Sequence, residues 1–204
     1  MATAALLLSG GESSRFGGQP KALLPVGGVP AVRRMANLCI ERGLAPVVVV
    51  VGPHRAPIAH ELRGIEALVV DSEDWREGRT ASIHAGLEAI PPGRDILFWP
   101  VDHPFVTSAT LDALDRAREG DALAVWFIPT FEGRGGHPVL WRAGVRADVL
   151  DLRNDAPLRS LLPEFGIQVV RVPVDDPGVV QKVDSPEEYR AAADEWQSRA
   201  PEPE

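Results

Sequence analysis

Arg15 and Lys21 stand in a loop, Ser9-Gly10-Gly11-Glu12-Ser13-Ser14-Arg15-Phe16-Gly17-Gly18-Gln19-Pro20-Lys21, that interrupts the apolar run Thr3-Ala4-Ala5-Leu6-Leu7-Leu8. Glycines let backbone N–H groups face an anion with no side chain in the way, and the two cations supply the charge a polyphosphate needs. The loop therefore suggests a nucleotide triphosphate site. A dinucleotide fingerprint would need Gly-x-Gly-x-x-Gly, and after Gly10-Gly11 the next glycine is Gly17. A Walker loop would need Gly-Lys followed by Ser or Thr, whereas Lys21 lies between Pro20 and Ala22. The other use of such a segment is a plain strand-to-helix turn, in which Gly and Ser are common. The spaced Arg and Lys weigh against that use.

The elements that must position this loop alternate along the chain. Residues 30–42 place Val32, Met35, Ala36, Cys39 and Ile40 on one helical stripe, with Gly43 as the stop. The run Pro46-Val47-Val48-Val49-Val50-Val51-Gly52 reads as a parallel strand covered on both faces. Residues 67–70 and 95–99 repeat the strand pattern, 107–119 read as a helix with Leu111 and Leu114 inward, and 122–128 and 169–172 return to the sheet. Ser185, Pro186 and Glu188 form the capping box of a last helix. This alternation implies an open α/β sheet, in which ligands sit beyond the carboxyl ends of the strands. The segments starting at Ser9, Gly52, Asp71 and Asp102 are expected to converge there.

Several ordered motifs resemble one family. The stretch from Leu8 to Gly17, ending in Lys21, is similar to the Leu-x-Gly-Gly-x-Ser-x-Arg-Met-Gly-x-x-Lys signature of the MobA-like NTP transferases, which include the molybdopterin guanylyl- and cytidylyltransferases. Val101-Asp102-His103-Pro104 resembles the family's Asp-Gln-Pro metal segment. Gly135-Gly136-His137-Pro138 resembles its Gly-His-Pro segment, and Asp184-Ser185-Pro186-Glu187-Glu188 its final acidic motif. The resemblance implies a single-domain, Rossmann-like, three-layer α/β fold of the nucleotide-diphospho-sugar transferase kind, with a mostly parallel central sheet over residues 1–198. Residues 199–204 read as a disordered acidic tail.

Mapped onto this chain, the resemblance makes Lys21, Arg15 and Asp102 catalytic. Lys21 would steady the α-phosphate and Arg15 the β and γ groups, while Leu8, Ser9, Gly10 and Gly11 frame the nucleotide. Asp102 follows the apolar run 96–99, where a core-facing strand has no structural use for an acid; Mg2+ takes one or two carboxylates together with phosphates, so Asp102 reads as a ligand or as a turn aspartate. Asp184 is open between metal binding and support of the following helix dipole. Lys182 departs from the family, which often has a second acid there; a lysine in the similar methylerythritol cytidylyltransferases suggests contact with phosphate instead. The segment from Asp71 to Ser82 resembles the family's base and ribose segment, which makes Asp71, Gly78, Thr80 and Ser82 nucleotide-binding candidates, with an N-cap as the other use of Thr80. The implied reaction moves a nucleoside monophosphate from an NTP to an acceptor phosphate and releases pyrophosphate. The acceptor suggested by the family is molybdopterin, with a sugar or polyol phosphate as the alternative.

Composition narrows the classes. The chain has 204 residues, 45% of them hydrophobic, enough for one well-buried core without a linker. Its formal charge of −8 argues against a surface built for nucleic acid or anionic lipid. A single cysteine, Cys39, rules out an internal disulfide or a Cys-based zinc site. The N-terminal apolar run is too short to span a bilayer and lacks a secretory pattern, so a cytoplasmic location is expected. His54 and His60 lie off the spacing of a helical zinc pair; His103 and His137 read as turn residues or acceptor contacts, and Trp99, Trp126 and Trp141 as core. Gly10-Gly11 leans toward the guanylyl branch and the later segments toward the cytidylyl branch; CTP is favoured over GTP. The competing class is a binding protein without turnover that delivers cofactor to a molybdoenzyme as a transient partner.

Overall fold

Strand β1 (Thr3–Ser9) is apolar from Ala4 to Leu8, as suits a strand covered on both faces. Ala5 and Leu7 point to one side of the sheet, Ala4, Leu6 and Leu8 to the other, and each set packs into its own core cluster. A computed structural model of the protein, described here for residues 2–199, shows what covers them. A short hairpin, β2 (Pro25–Val26) and β3 (Val29–Pro30), leads into α1 (Ala31–Glu41), which buries Val32, Met35, Ala36 and Cys39 of the expected stripe, leaves Ile40 half-buried and stops at Gly43, in the left-handed region at φ 69°. Then follow β4 (Val47–Val51), α2 (Arg55–Glu61), β5 (Ala67–Asp71), α3 (Arg79–Glu88), β6 (Asp95–Pro100) and α4 (Ser108–Gly120). The C-terminal part adds β7 (Trp126–Phe131), β8 (Arg134–Gly135), β9 (Val139–Trp141), α5 (Arg146–Leu150), α6 (Leu162–Phe165), β10 (Val169–Pro173) and α7 (Pro186–Ser198).

The main sheet runs β10-β7-β9-β6-β1-β4-β5, with β8 paired to β7. Its pairings are parallel between β1 and β4, β1 and β6, β4 and β5, and β7 and β10; β9 inserts antiparallel between β6 and β7. Val32, Met35 and Cys39 of α1, Ile58 of α2 and Leu111 and Leu114 of α4 fill one face, and Ile83 and Leu87 of α3 with Val149 of α5 fill the other. The result is a single-domain, three-layer α/β fold with a mostly parallel sheet, as the sequence implied. Helix α7 lies against the hairpin, where Ala192 joins Leu24, Val26, Phe105 and Val183.

The strand expected at 122–128 begins only at Trp126. The Asp121 carboxylate accepts hydrogen bonds from the Leu123 and Ala124 N–H groups at 2.9 and 3.0 Å, turning the chain and leaving Leu123 81% exposed. Arg199, grouped by sequence with the tail, ion-pairs with Asp176 and Glu195 at 3.4 and 2.9 Å. The rest of the expected tail, 200–204, lies outside the described residues.

Candidate active site

The carboxyl ends of β1 and β6 lie side by side, and a cleft of about 590 Å³ opens above them. Leu8, Ser9, Gly10 and Gly11 form one wall, Gly78 and Ser82 with Trp75 and Arg76 another, and Lys21, Asp102 and Asp184 the floor and far side. The loop is held by its own side chains: the Lys21 N–H donates to Ser13 Oγ at 3.0 Å, and the turn at 14–16 closes on Gly17 and Gly18, both at positive φ. A Cβ on Gly52 would lie 2.3 Å from the Gly10 carbonyl oxygen, so that glycine lets the end of β4 back the loop. A Cβ on Gly11 would meet nothing within 4 Å, which leaves that stretch of backbone open to a ligand.

Asp102 and Asp184 are brought together by the backbone. The Val183 N–H donates to the Asp102 carbonyl at 2.7 Å, and Lys21 Nζ donates to the Val183 carbonyl at 3.1 Å and to Asp184 Oδ1 at 2.8 Å. Asp102 is 6% exposed; His103 Nδ1 donates to its Oδ1 at 2.9 Å, and Arg79 lies 3.4 Å from its Oδ2. Burial by itself would raise the Asp102 carboxyl, but the His103 hydrogen bond and the charges of Arg79 and Lys21 outweigh it and hold the group below the usual carboxylate range. At Asp184 the opposing burial is likewise overcome by hydrogen bonds from Lys182 and Lys21. Both acids are therefore ionised at neutral pH.

The carboxylates fit a divalent cation. Lys182 Nζ contacts Asp184 Oδ2 and lies 3.8 Å from Asp102 Oδ2, so the two acids already face one point that holds a positive charge. Among the described residues no group of three or more His, Cys, Asp or Glu side chains converges. A metal held here would thus rely on two aspartates and on ligand phosphates, the donor set suited to Mg2+.

Other expected residues fall elsewhere. Arg15 is exposed on the 14–16 turn and lies outside the cleft lining. The Gly52 segment stays off the lining, whereas the segment that Asp71 starts reaches it through Trp75, Arg76, Gly78, Arg79 and Ser82, so the Ser9, Asp71 and Asp102 segments meet as expected. Asp71 itself ends β5, turns to Arg55 at 2.9 Å and is off the lining. The reason is the position of β5 at the sheet edge, one strand beyond the β4 end that Gly52 uses to support the loop. Thr80 is neither N-cap nor cleft residue: Gly78 precedes the helix, and the Thr80 hydroxyl donates to the Ala156 carbonyl. It lines a second cavity of about 300 Å³ with Phe98, Trp126, His137 and Val139. Arg79 borders both cavities. The rings of His103 and His137 meet edge to face with centroids 4.8 Å apart, and His137, pushed down to about 3 by burial and then by His103, is neutral.

Arg79 is the main residue that sequence reasoning passed over. Its signal was present: a cation in the first turn of α3, where the helix dipole favours an acid, points to an anion beside it. Trp75 and Arg76, stacked with the guanidinium 4.2 Å from the ring centroid, complete the wall.

A model of the MobA-like NTP transferase domain matches residues 5–171. Nicotine blue oxidoreductase of Paenarthrobacter nicotinovorans is 28% identical over 191 residues, covering 91% of this chain and 94% of its own. A probable molybdenum cofactor guanylyltransferase of Natronomonas pharaonis is 27% identical, covering 92% and 95%. A 2-C-methyl-D-erythritol 4-phosphate cytidylyltransferase of Streptomyces coelicolor is 36% identical over 138 residues, which span 62% of this chain and half of that enzyme. Among solved structures, a nucleotidyl transferase of Methanothermobacter thermautotroptrophicus superposes with a TM-score of 0.79 at 24% identity, over 96% of this chain and 98% of that one, and shows the same fold. With residues 5–171, most of its length, matched to the domain model, the chain belongs to the MobA-like NTP transferase family.

Proposed function

We propose that the protein is a Mg2+-dependent nucleotidyltransferase that moves a nucleoside monophosphate, from CTP in preference to GTP, to a phosphorylated acceptor, molybdopterin. The observation that carries the reading is the meeting of Lys21, Asp102 and Asp184 with the open Gly10-Gly11 backbone in one cleft. An acceptor phosphate is already anionic at neutral pH and needs no general base. Its oxygen attacks the α-phosphorus, the bond to the bridging oxygen breaks, and pyrophosphate leaves with the electron pair. Lys21, held by Val183 and Asp184, steadies charge on the α-phosphate, while Arg15 turns in from the exposed loop to the β and γ groups. Asp102 and Asp184 would hold Mg2+, which when bound neutralises the phosphates. The N–H groups of the Leu8 to Gly11 segment, with Gly78 and Ser82, frame the nucleoside.

The second cavity supports a flat acceptor over a sugar or polyol phosphate: its walls include Phe98, Trp126 and Val139, and it meets the nucleotide cleft at Arg79. On this reading the product passes in the cytoplasm to a molybdoenzyme as transient partner. Among the described residues no helix is long and apolar enough to cross a membrane. The test is pyrophosphate release with each of the four NTPs, Mg2+ and molybdopterin. CTP-dependent release that falls in Lys21→Ala and Asp102→Ala is expected; no release with any NTP refutes the reading.

Two observations favour a second reading. Lys182 stands where the acids face each other, and a relative matched over nearly its whole length is named an oxidoreductase. A protein that binds a nucleotide or nucleotide-containing cofactor without transferring it fits both facts. Tight NTP binding with no pyrophosphate release would favour it.

A further inference from the structure

The acids assigned to the metal are not bare. Two carboxylates, Asp102 and Asp184, face three cations: Lys21 at 2.8 Å from Asp184, Arg79 at 3.4 Å from Asp102, and Lys182 against both. The cluster carries one net positive charge, and a lone divalent cation entering it gains little attraction. The three cations are not equivalent. Lys21 is buried to 18% side-chain exposure and tied to the Val183 carbonyl as well as to Asp184, so it is fixed. Lys182 is 47% exposed, its ammonium pairs only with the two acids among the described residues, and its long stem can swing without unpacking the core.

We propose that Lys182 is a tethered counter-ion for the Asp102 and Asp184 pair, which keeps free divalent cations off these acids and yields its place only when nucleotide phosphates arrive with the metal. A triphosphate brings enough negative charge to reverse the sign of the cluster. The metal then gains phosphate oxygens as ligands, and the displaced ammonium gains a phosphate partner in place of the carboxylates. Metal and nucleotide binding become coupled, each strengthening the other by the same factor. The inference rests on the metal site of the proposed function and adds the order in which that site fills.

The experiment measures bound Mn2+ by electron paramagnetic resonance, without nucleotide and with the non-cleavable analogue α,β-methylene-CTP. Without nucleotide, Lys182→Gln and Lys182→Met are expected to bind Mn2+ at least tenfold more tightly than the unaltered protein, whereas Lys182→Arg stays weak. Arg76→Gln removes a charge that lines the cleft without touching either acid, and its Mn2+ affinity is expected to change less than twofold. With the analogue, the unaltered protein rises to within threefold of Lys182→Gln. Equal nucleotide-free affinities for the unaltered protein and Lys182→Gln would overturn the inference and leave the metal site standing. So would an equal gain in Arg76→Gln, which would mark a long-range field in place of competition for one position. Mn2+ bound by neither protein even with the analogue would remove the metal site from the proposed function, and the inference with it.

Discussion

Acid stability offers a direct reading of the site's interior, through His137. This ring lies between Phe98 and His103, its Nδ1 atom is buried with no hydrogen-bond partner among the described residues, and its pKa is pushed down to about 3 by burial and then by His103. In the unfolded chain a histidine titrates near ~6.5. A group whose folded pKa is depressed contributes stability in full above its unfolded pKa and loses it as pH falls toward the folded one, here from about 6.5 down to about 3. At pH 5 the unfolded chain has taken up the proton and the folded one has not. The gap of about 1.5 units below the unfolded value costs roughly 2 kcal/mol. Urea unfolding of the unaltered protein and of His137→Asn at pH 7.5, 6.5 and 5.0, repeated with His103→Gln in both, isolates this contribution, since the outlying histidines His54, His60 and His84 are the same throughout and the neighbouring His103 is absent from the second pair. Asp102 and Asp184, held low, stay ionised across this range. The stability difference between the two proteins should move by about 2 kcal/mol in favour of His137→Asn between pH 7.5 and 5.0. A difference that stays constant to about 0.5 kcal/mol, well below that shift, would show that the folded ring accepts a proton freely and refute the reasoning.

The two loop cations should separate in kinetics: Lys21→Met is expected to lower kcat for nucleotidyl transfer by about 10²- to 10³-fold, and Arg15→Met, whose side chain lies off the cleft, to have a smaller effect. Steady-state rates in the reverse order would contradict the placement of the two side chains. Gly52→Ala sets a Cβ 2.3 Å from the Gly10 carbonyl, backbone against backbone, and should destabilise by about 1–3 kcal/mol while weakening nucleotide binding. Urea midpoints and a nucleotide titration check both, and an unchanged pair of values would mean that the loop yields at no cost.

The turn that follows the first buried strand, the layered α/β architecture and the last helix were all legible because each rests on local rules. A Val47–Val51 run has one low-energy use, a strand buried on both faces, and Ser185 with Glu188 closes a capping box within a single turn. The strand expected from 122 was misplaced by four residues because one carboxylate, Asp121, captured two backbone N–H groups that an apolar run alone would assign to the sheet. Asp71 and Thr80 were chosen for their place in a motif, and motif spacing does not say which side of a strand end or helix start a side chain takes.

By itself the sequence determined the α/β alternation, the glycine-bearing loop after the first strand and two residues of the cleft lining, Lys21 and Asp102, since hydrophobic period, turn chemistry and an acid after a buried strand are properties of short segments. Only the tertiary structure decided that Asp184 reaches Asp102 across 82 positions, that Arg79 borders two cavities and that Lys182 stands between the acids. The physical reason is that charge pairing depends on distance in space. Here that distance is set by one backbone hydrogen bond, from Val183 to Asp102, that joins the end of one strand to a segment far along the chain.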